Sequence, residues 1–177
     1  KYYLPLLITR DKLDINEILL IEGQDYQAYL YDGVNSLVYV QAMNNFIKKN
    51  DNLDLERGGK LVSNSSNQDE ISDVRRLTDV STNSITLVKK DEIVKTFRKL
   101  QSGINPDLEI SLNLQQETNF ELFPTVRGHC SYQDVNGEEH NINLVQEFIE
   151  NKGDCWSYTQ QHLDQFLKDI WERDVEN

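Results

Sequence analysis

Short apolar runs separated by polar turns fill the first third of the chain. Three of these runs are rich in Leu, Ile and Tyr and predict β-strands, at residues 2–8, 18–22 and 26–32. Between residues 36 and 49, apolar side chains recur at the spacing of one helix face. Residues 50–56 and 64–69 are polar and predict loops. One helix and several strands are enough for a small α+β layer.

The second half of the chain has clearer signals for the ends of its predicted helices and strands. Three further strands are predicted at residues 74–77, 84–88 and 92–98. Asn105 followed by Pro106 and acidic residues is typical of a helix start, and that helix is expected to reach residue 117. Asn136-Gly137 predicts the turn of a hairpin between strands at 126–134 and 141–148. Ser157 and Gln160 have capping-box spacing and predict a last helix. We expect two subdomains, residues 1–78 and 79–177.

Charge and composition narrow the classes of partner. The net charge of −12 argues against binding to nucleic acid or to an anionic membrane surface. No apolar run is long enough to span a bilayer, and no signal peptide is evident. Cys130 and Cys155 lack metal-ligand spacing and predict free thiols in a reducing, cytoplasmic environment. Since Met43 is the only methionine and Lys1 comes first, we expect the chain to begin inside a longer polypeptide.

The order of elements from residue 92 onward suggests phosphoryl transfer. Lys95 lies in an apolar, β-branched strand, and Glu109 lies in the first turns of the following helix. In ATP-dependent kinases a strand lysine reaches the α and β phosphates, and a helix glutamate holds that lysine in place. Each residue also has an ordinary explanation, because strand lysines are commonly solvated and an early glutamate complements the helix dipole.

Three strings carry a resemblance to a known family: IVKTFRKLQSGINPDLEISLNL, FPTVRGHCSY and LVQEFIENKGDCWSYTQQHL. They resemble maltokinases, bacterial enzymes that phosphorylate maltose at C1 with ATP and are often fused behind a trehalose synthase. The resemblance covers about residues 82–163 and is fainter at the start of the chain. The matching positions are Lys95, Phe97, Arg98, Gly103, Asn105, Pro106, Asp107, Glu109, Pro124, Gln146, Glu147, Phe148, Asn151, Gly153, Asp154 and Trp156.

The resemblance implies a fold and a nucleotide site. It implies a cystatin-like cap, one helix against a curved antiparallel sheet, followed by a protein-kinase-like N-lobe. Lys95 would hold the ATP phosphates, with Glu109 as its ion-pair partner. The main chain at Gln146, Glu147, Phe148 and Ile149 would read the adenine edge. Ser81, Asn83 and Ser84 would cover the phosphates, although a polar hairpin end explains these three equally well.

Two departures limit the activity expected of this chain. Lys99 stands where the family commonly has a second arginine. No residue after Trp156 matches the catalytic aspartate, its asparagine partner or the metal-binding aspartate. We therefore expect no catalytic residues and no metal ligands here. ATP and Mg²⁺ would serve the intact enzyme, and we expect weak or no nucleotide binding by this fragment. The maltose site would lie in the absent C-lobe.

The sequence thus predicts the N-terminal part of an ATP-dependent maltose 1-kinase that feeds α-glucan synthesis. Its expected partners are the C-lobe of the same polypeptide and a trehalose synthase domain. Two alternatives stay open. The first is a non-catalytic regulatory or docking module, and the second is the N-lobe of another sugar kinase or of an aminoglycoside-type kinase. Kinases of the second kind share the lysine and the glutamate but generally lack the cap and the run from Asn151 to Trp156.

Overall fold

The expected α+β fold with antiparallel sheets is confirmed. A computed structural model describes residues 1–14, 17–66, 75–78, 83–89 and 91–175. The helices are α1 (Leu37–Lys48), α2 (Pro106–Glu117) and α3 (Cys155–Val175). The strands are β1 (Leu6–Thr9), β2 (Glu17–Glu22), β3 (Gln27–Asp32), β4 (Asn52–Asp54), β5 (Lys60–Ser65), β6 (Arg75–Thr78), β7 (Asn83–Lys89), β8 (Glu92–Phe97), β9 (Val126–Gln133) and β10 (Glu139–Glu147).

One sheet contains strands from both predicted subdomains. It has seven strands in the order β4-β5-β9-β10-β8-β7-β6, and a smaller sheet has the order β1-β3-β2. Strand β5 pairs antiparallel with β9 from Lys60, opposite Gln133, to Ser65, opposite Gly128. Half of the predicted boundary at residues 74–83 lies outside the described residues, and the boundary stays a prediction. On either side of it, backbone hydrogen bonds join the chain into one sheet.

Helices α1 and α2 cover opposite faces of the large sheet. Val94 belongs to the core beneath α1, whereas Phe97 belongs to the core beneath α2. These two residues are an odd number of positions apart on β8, so their side chains point to opposite faces. The α1 core consists of Val40, Met43, Ile47, Val88, Val94, Cys130 and Val145. The α2 core consists of Phe97, Leu108, Val126 and Leu144.

A glycine allows α1 to approach the sheet closely. A Cβ atom added at Gly128 would lie 2.7 Å from Ile47 Cγ2 and 2.8 Å from the Asn64 carbonyl oxygen. Both distances are shorter than van der Waals contact. Ile47 is 1% exposed, and the apolar face of α1 rests on β5 and β9. The helix expected in the cap therefore packs on the large sheet.

The N-terminal segment is tied to the chain just beyond β8. The Tyr3 N–H donates to the Arg98 carbonyl at 2.8 Å, and the Leu100 N–H donates to the Lys1 carbonyl at 3.0 Å. The Arg98 guanidinium also pairs with the Asp32 carboxylate at the end of β3. These contacts connect the small sheet to the strand that carries Lys95.

Three predicted boundaries differ from the structure. The predicted loop at 50–56 contains β4, and the predicted loop at 64–69 overlaps the end of β5. Edge strands pair through backbone groups, so they form without an apolar pattern when a neighbouring strand is present. The first strand begins at Leu6 rather than at residue 2. Pro5 precedes it and lacks an N–H for sheet pairing, while its carbonyl accepts from the Gly33 N–H at 2.7 Å.

Truncating the α1 core contact should destabilise the whole protein. We expect Ile47→Ala to lower the free energy of unfolding by about 2–5 kcal/mol, because the side chain is fully buried and leaves a cavity. Ile110→Ala is the matched control, since Ile110 lies on α2 with 59% of its surface exposed. Urea denaturation measures both variants. Equal losses in the two would contradict the packing of α1 on the large sheet.

Candidate functional site

A cavity of about 340 Å³ opens on the α2 side of the large sheet. This volume is at the lower end of the range for small-molecule sites. Its lining residues come from β7, β8, the segment before β9, the end of β10 and the chain that follows β10. They are Ile85, Ile93, Lys95, Pro124, Gln146, Glu147, Phe148, Ile149 and Asn151. Five of them are sequence-predicted site residues: Lys95, Gln146, Glu147, Phe148 and Ile149. The structure therefore brings the predicted lysine and the predicted adenine-reading segment to one place.

Strand register explains how these residues meet. Ile85 on β7 is opposite Lys95 on β8, and Ile93 on β8 is opposite Gln146 on β10. Ile93 and Lys95 are two positions apart, so their side chains share one face of the sheet. Among its described lining residues, the cavity consequently has apolar side chains beside one cationic side chain, that of Lys95.

Lys95 makes an ion pair with the first turn of α2. Its Nζ lies 3.4 Å from Asp107 Oδ2, and the lysine side chain is 21% exposed. Asn105 caps the helix by accepting the Asp107 N–H at 2.9 Å, and Pro106 occupies the first turn. The Asn105 N–H in turn donates to the Asn141 side chain on β10. The capped helix start thus holds the backbone of Asp107 beside the sheet.

The predicted Lys95–Glu109 ion pair needs correction. Among the described residues, the carboxylate in contact with Lys95 is that of Asp107. Residues two apart on a helix are rotated by about 200° about its axis, so only one of these two acids can face the sheet strand. Glu109 is exposed to solvent.

The three residues predicted to cover phosphates have different positions. Ser81 lies outside the described residues. Ser84 is buried, and its Oγ accepts a hydrogen bond from Arg98 Nε at 3.3 Å, on the face opposite Ile85. The structure therefore directs Ser84 away from the cavity, which corrects its predicted role. Asn83 is two positions before Ile85 and shares its face, so it is the one of the three placed on the cavity side.

Two main-chain donors in the predicted adenine-reading segment are already used. The Glu147 N–H donates to the Thr125 carbonyl at 2.9 Å, and the Phe148 N–H donates to the Asp91 carbonyl at 2.8 Å. The N–H of the next residue, Ile149, has no acceptor among the described residues. Its carbonyl accepts from Asn151 Nδ2 at 3.2 Å. Of the donors at residues 147–149, the Ile149 N–H is thus the one without a protein acceptor in the described part of the chain.

Sequence reasoning did not assign four lining residues: Ile85, Ile93, Pro124 and Asn151. Strand parity could have identified Ile93, because it precedes Lys95 by two positions. Finding Ile85 also requires the pairing register of β7 with β8, which no local pattern supplies. Pro124 and Asn151 are positions that match the resemblance, but the resemblance assigns no role to either residue.

The segment after the cavity starts helix α3. Asp154 Oδ1 accepts the Ser157 N–H at 2.6 Å, so Asp154 is the cap and the predicted cap Ser157 lies inside the helix. Asn151 Oδ1 accepts the Gly153 N–H at 3.1 Å, and Gly153 has a φ of 132°, which favours glycine. The Ser157 N–H also lowers the pKa of the Asp154 carboxyl below its usual value. The run from Asn151 to Asp154 therefore has a local structural role.

Helix α3 carries a stripe of exposed apolar side chains. The large ones are Trp156, Tyr158, Leu163, Phe166, Leu167, Ile170 and Trp171, each at least 40% exposed. Charged residues such as Asp164 and Lys168 lie between these apolar residues in the helix sequence. No helix in the described part of the chain is long and apolar enough to cross a membrane.

A second polar cluster lies on the β9–β10 hairpin. Asp134, Glu138 and His140 place one ligand atom each within 4.8 Å of one another, a spacing that a metal ion could use. The Lys1 ammonium lies among them, 3.2 Å from Asp134, 3.5 Å from Glu138 and 3.0 Å from His140 Nε2. A lysine ammonium thus already provides the positive charge that these side chains face.

Comparison with protein-family models gave no match, and comparison with curated proteins gave none either.

Removing the α3 cap should reduce helix content. We expect Asp154→Ala to lower the helical signal in circular dichroism at pH 7, because the Ser157 N–H loses its acceptor. Asp154→Asn is the matched control and should retain the helix, since asparagine caps about as well as aspartate. Because the folded-state pKa of Asp154 is lowered, its contribution is present at neutral pH and is lost as pH falls through that pKa. Wild-type α3 should therefore fray only in acid, once the pH has fallen below the ordinary pKa of an aspartate toward the lowered pKa of Asp154. Equal helicity in the two variants at pH 7 would contradict the cap.

Proposed function

We propose that this chain contributes the cap and the small lobe of an ATP-dependent maltose 1-kinase. The observation that carries the proposal is the cavity beside Lys95. It combines an apolar floor, an available main-chain donor and one cation, and these are the groups that adenine and a phosphate chain require. ATP is the proposed nucleotide, and Mg²⁺ the proposed metal of the intact enzyme.

The arrangement of groups around the cavity suits a nucleoside phosphate. Ile85 and Ile93 offer apolar contact for a planar base. The Ile149 N–H can donate to a ring nitrogen at the base edge. Lys95 lies on the same sheet face and can donate to phosphate oxygens. The base and its phosphates would then span from the end of β10 to the start of α2.

The strand order supports a kinase-like small lobe. Strands β6, β7 and β8 follow one another in the sheet, and β10 and β9 come next. Helix α2 lies between β8 and β9 in the chain and packs on the face that bears Lys95. The strand with the lysine is thus followed by a helix whose first turn supplies its counter-ion, as expected for such a lobe. The cystatin-like description of the cap stays a prediction, because α1 packs on the shared sheet.

The exposed stripe of α3 supports an association with another domain. A set of large apolar side chains on one exposed helix is typical of an interaction surface. We propose the catalytic lobe of the same polypeptide as its partner, with a trehalose synthase domain as a second neighbour in the cytoplasm. The catalytic aspartate, the metal ligands and the maltose contacts would come from that lobe.

The same stripe also favours the alternative function, a non-catalytic docking module. Such a module would use α3 to bind a glucan enzyme and would need no nucleotide. Nucleotide binding at the cavity separates the two functions. Another sugar kinase or an aminoglycoside-type kinase would share that binding and would differ in the acceptor substrate.

Nucleotide binding should be weak and should depend on Lys95. We expect a dissociation constant for ADP of about 1 mM, equivalent to about −4 kcal/mol, because the cavity is widely open to solvent. Lys95→Met should weaken ADP binding several-fold and leave adenosine binding unchanged, since the base does not contact the ammonium. Lys99→Met is the matched control, because Lys99 is exposed outside the cavity. Chemical-shift titration of ¹⁵N-labelled protein measures these affinities. A submicromolar affinity, or a lack of shifts at Ile93 and Ile149, would contradict the proposal.

The acceptor sugar is tested on the native full-length polypeptide. We expect it to convert maltose and ATP to maltose 1-phosphate, and Lys95→Met to lower kcat/KM by at least about 100-fold because the phosphates lose their cationic anchor. Chromatographic detection of the phosphorylated sugar measures the product. Phosphorylation of an aminoglycoside or of another sugar in place of maltose would instead support the second alternative. A polypeptide that phosphorylates none of these substrates would favour the docking module.

A further inference from the structure

We propose that Asp107 is the residue that positions Lys95 for the phosphates of a nucleoside di- or triphosphate. This inference rests on the proposed nucleotide site and specifies which acid sets its preference for phosphorylated ligands. The resemblance assigns that role to Glu109, whereas the geometry points to the acid two residues earlier.

The Asp107 carboxylate belongs to a rigid helix start. Asn105 accepts the Asp107 N–H, and the N–H of Asn105 is itself bonded to Asn141 of β10. In addition, Leu108 is 2% exposed and packs against Phe97 and Leu144 of the sheet. The backbone that bears the Asp107 carboxylate therefore has a fixed position relative to the strand that bears Lys95.

The Lys95 ammonium keeps N–H donors for a ligand while it is paired with Asp107. An ammonium has three N–H donors. Within the described residues, the ammonium of Lys95 contacts Asp107 at 3.4 Å. The lysine stem meanwhile lines the cavity. Asp107 thus restricts a long, rotamer-rich side chain to the rim of the cavity, and two donors remain there for phosphate oxygens.

The charge of Asp107 suits this positioning role. The carboxylate is half exposed, so water screens its repulsion of a bound phosphate. It also lies in the first turn of α2, where the helix dipole favours a negative charge. The ordering of Lys95 should therefore outweigh the added negative charge. A nucleoside without phosphates gains nothing from this arrangement.

Two charge-removing variants on the same helix turn test the assignment. Asp107→Asn removes the carboxylate that contacts Lys95, and Glu109→Gln removes an equal charge that faces solvent. Chemical-shift titrations with adenosine and with ADP give one affinity for the base and one for the phosphorylated ligand. We expect Asp107→Asn to weaken ADP binding about three- to tenfold, Glu109→Gln to change it less than twofold, and adenosine binding to be unaffected in both. Asp107→Glu should recover part of the loss.

The outcomes separate this inference from the proposed function. If the wild-type chain binds neither ligand, the nucleotide site fails and the role of Asp107 fails with it. If the wild type binds both ligands but the two variants lose ADP affinity equally, or neither loses it, only the role of Asp107 is overturned. Stronger ADP binding by Asp107→Asn would also overturn it, since the carboxylate would then be a competitor of phosphate. Unchanged denaturation midpoints show that each variant is folded.

Discussion

The pairing of β8 with β10 is the constraint on which the rest of the structure depends. These two strands lie at the middle of the seven-stranded sheet and are buried on both faces. Val94 and Val145 form part of the core beneath α1, while Phe97 and Leu144 form part of the core beneath α2. A shift of one residue in their register would turn the side chains of one strand to the opposite faces of the sheet. Both cores would then be disrupted. The antiparallel ladder thus holds the two helix layers in place together.

The same ladder determines the geometry of the candidate site. It places Ile93 opposite Gln146, near the end of β10. Lys95 is two positions from Ile93 and therefore lies on the same face of the sheet. Buried polar side chains reinforce the register on the other face. Asn143 Nδ2 donates to Thr96 Oγ1 at 2.8 Å, and the Tyr39 hydroxyl of α1 donates to Asn143 Oδ1 at 3.3 Å. Because a buried polar group without a partner is costly, this network disfavours other pairings.

Local signals in the sequence predicted the helices well, because their ends are determined by neighbouring residues. Asn105 caps α2 as the sequence indicated, and α1 begins just after Ser36, where its apolar pattern starts. The cap of α3 is Asp154 rather than the predicted Ser157. The edge strand β4 was missed, since its backbone pairing leaves no apolar pattern. The resemblance located Lys95 and the segment from Gln146 to Ile149, but it could not distinguish Asp107 from Glu109. That distinction depends on the rotation of α2 about its axis, which is fixed by the burial of Leu108 in a core made of distant strands.

The two cysteines differ in a way that is useful for spectroscopy. Cys130 is fully buried beneath α1, and burial raises the pKa of its thiol to about 12, so little reactive thiolate forms near neutral pH. Cys155 is exposed at the first position of α3, a few residues beyond the cavity. A maleimide dye should therefore attach at one position in the native state without any mutation. A single fluorophore beside Trp156 would then report on whatever approaches the start of that helix.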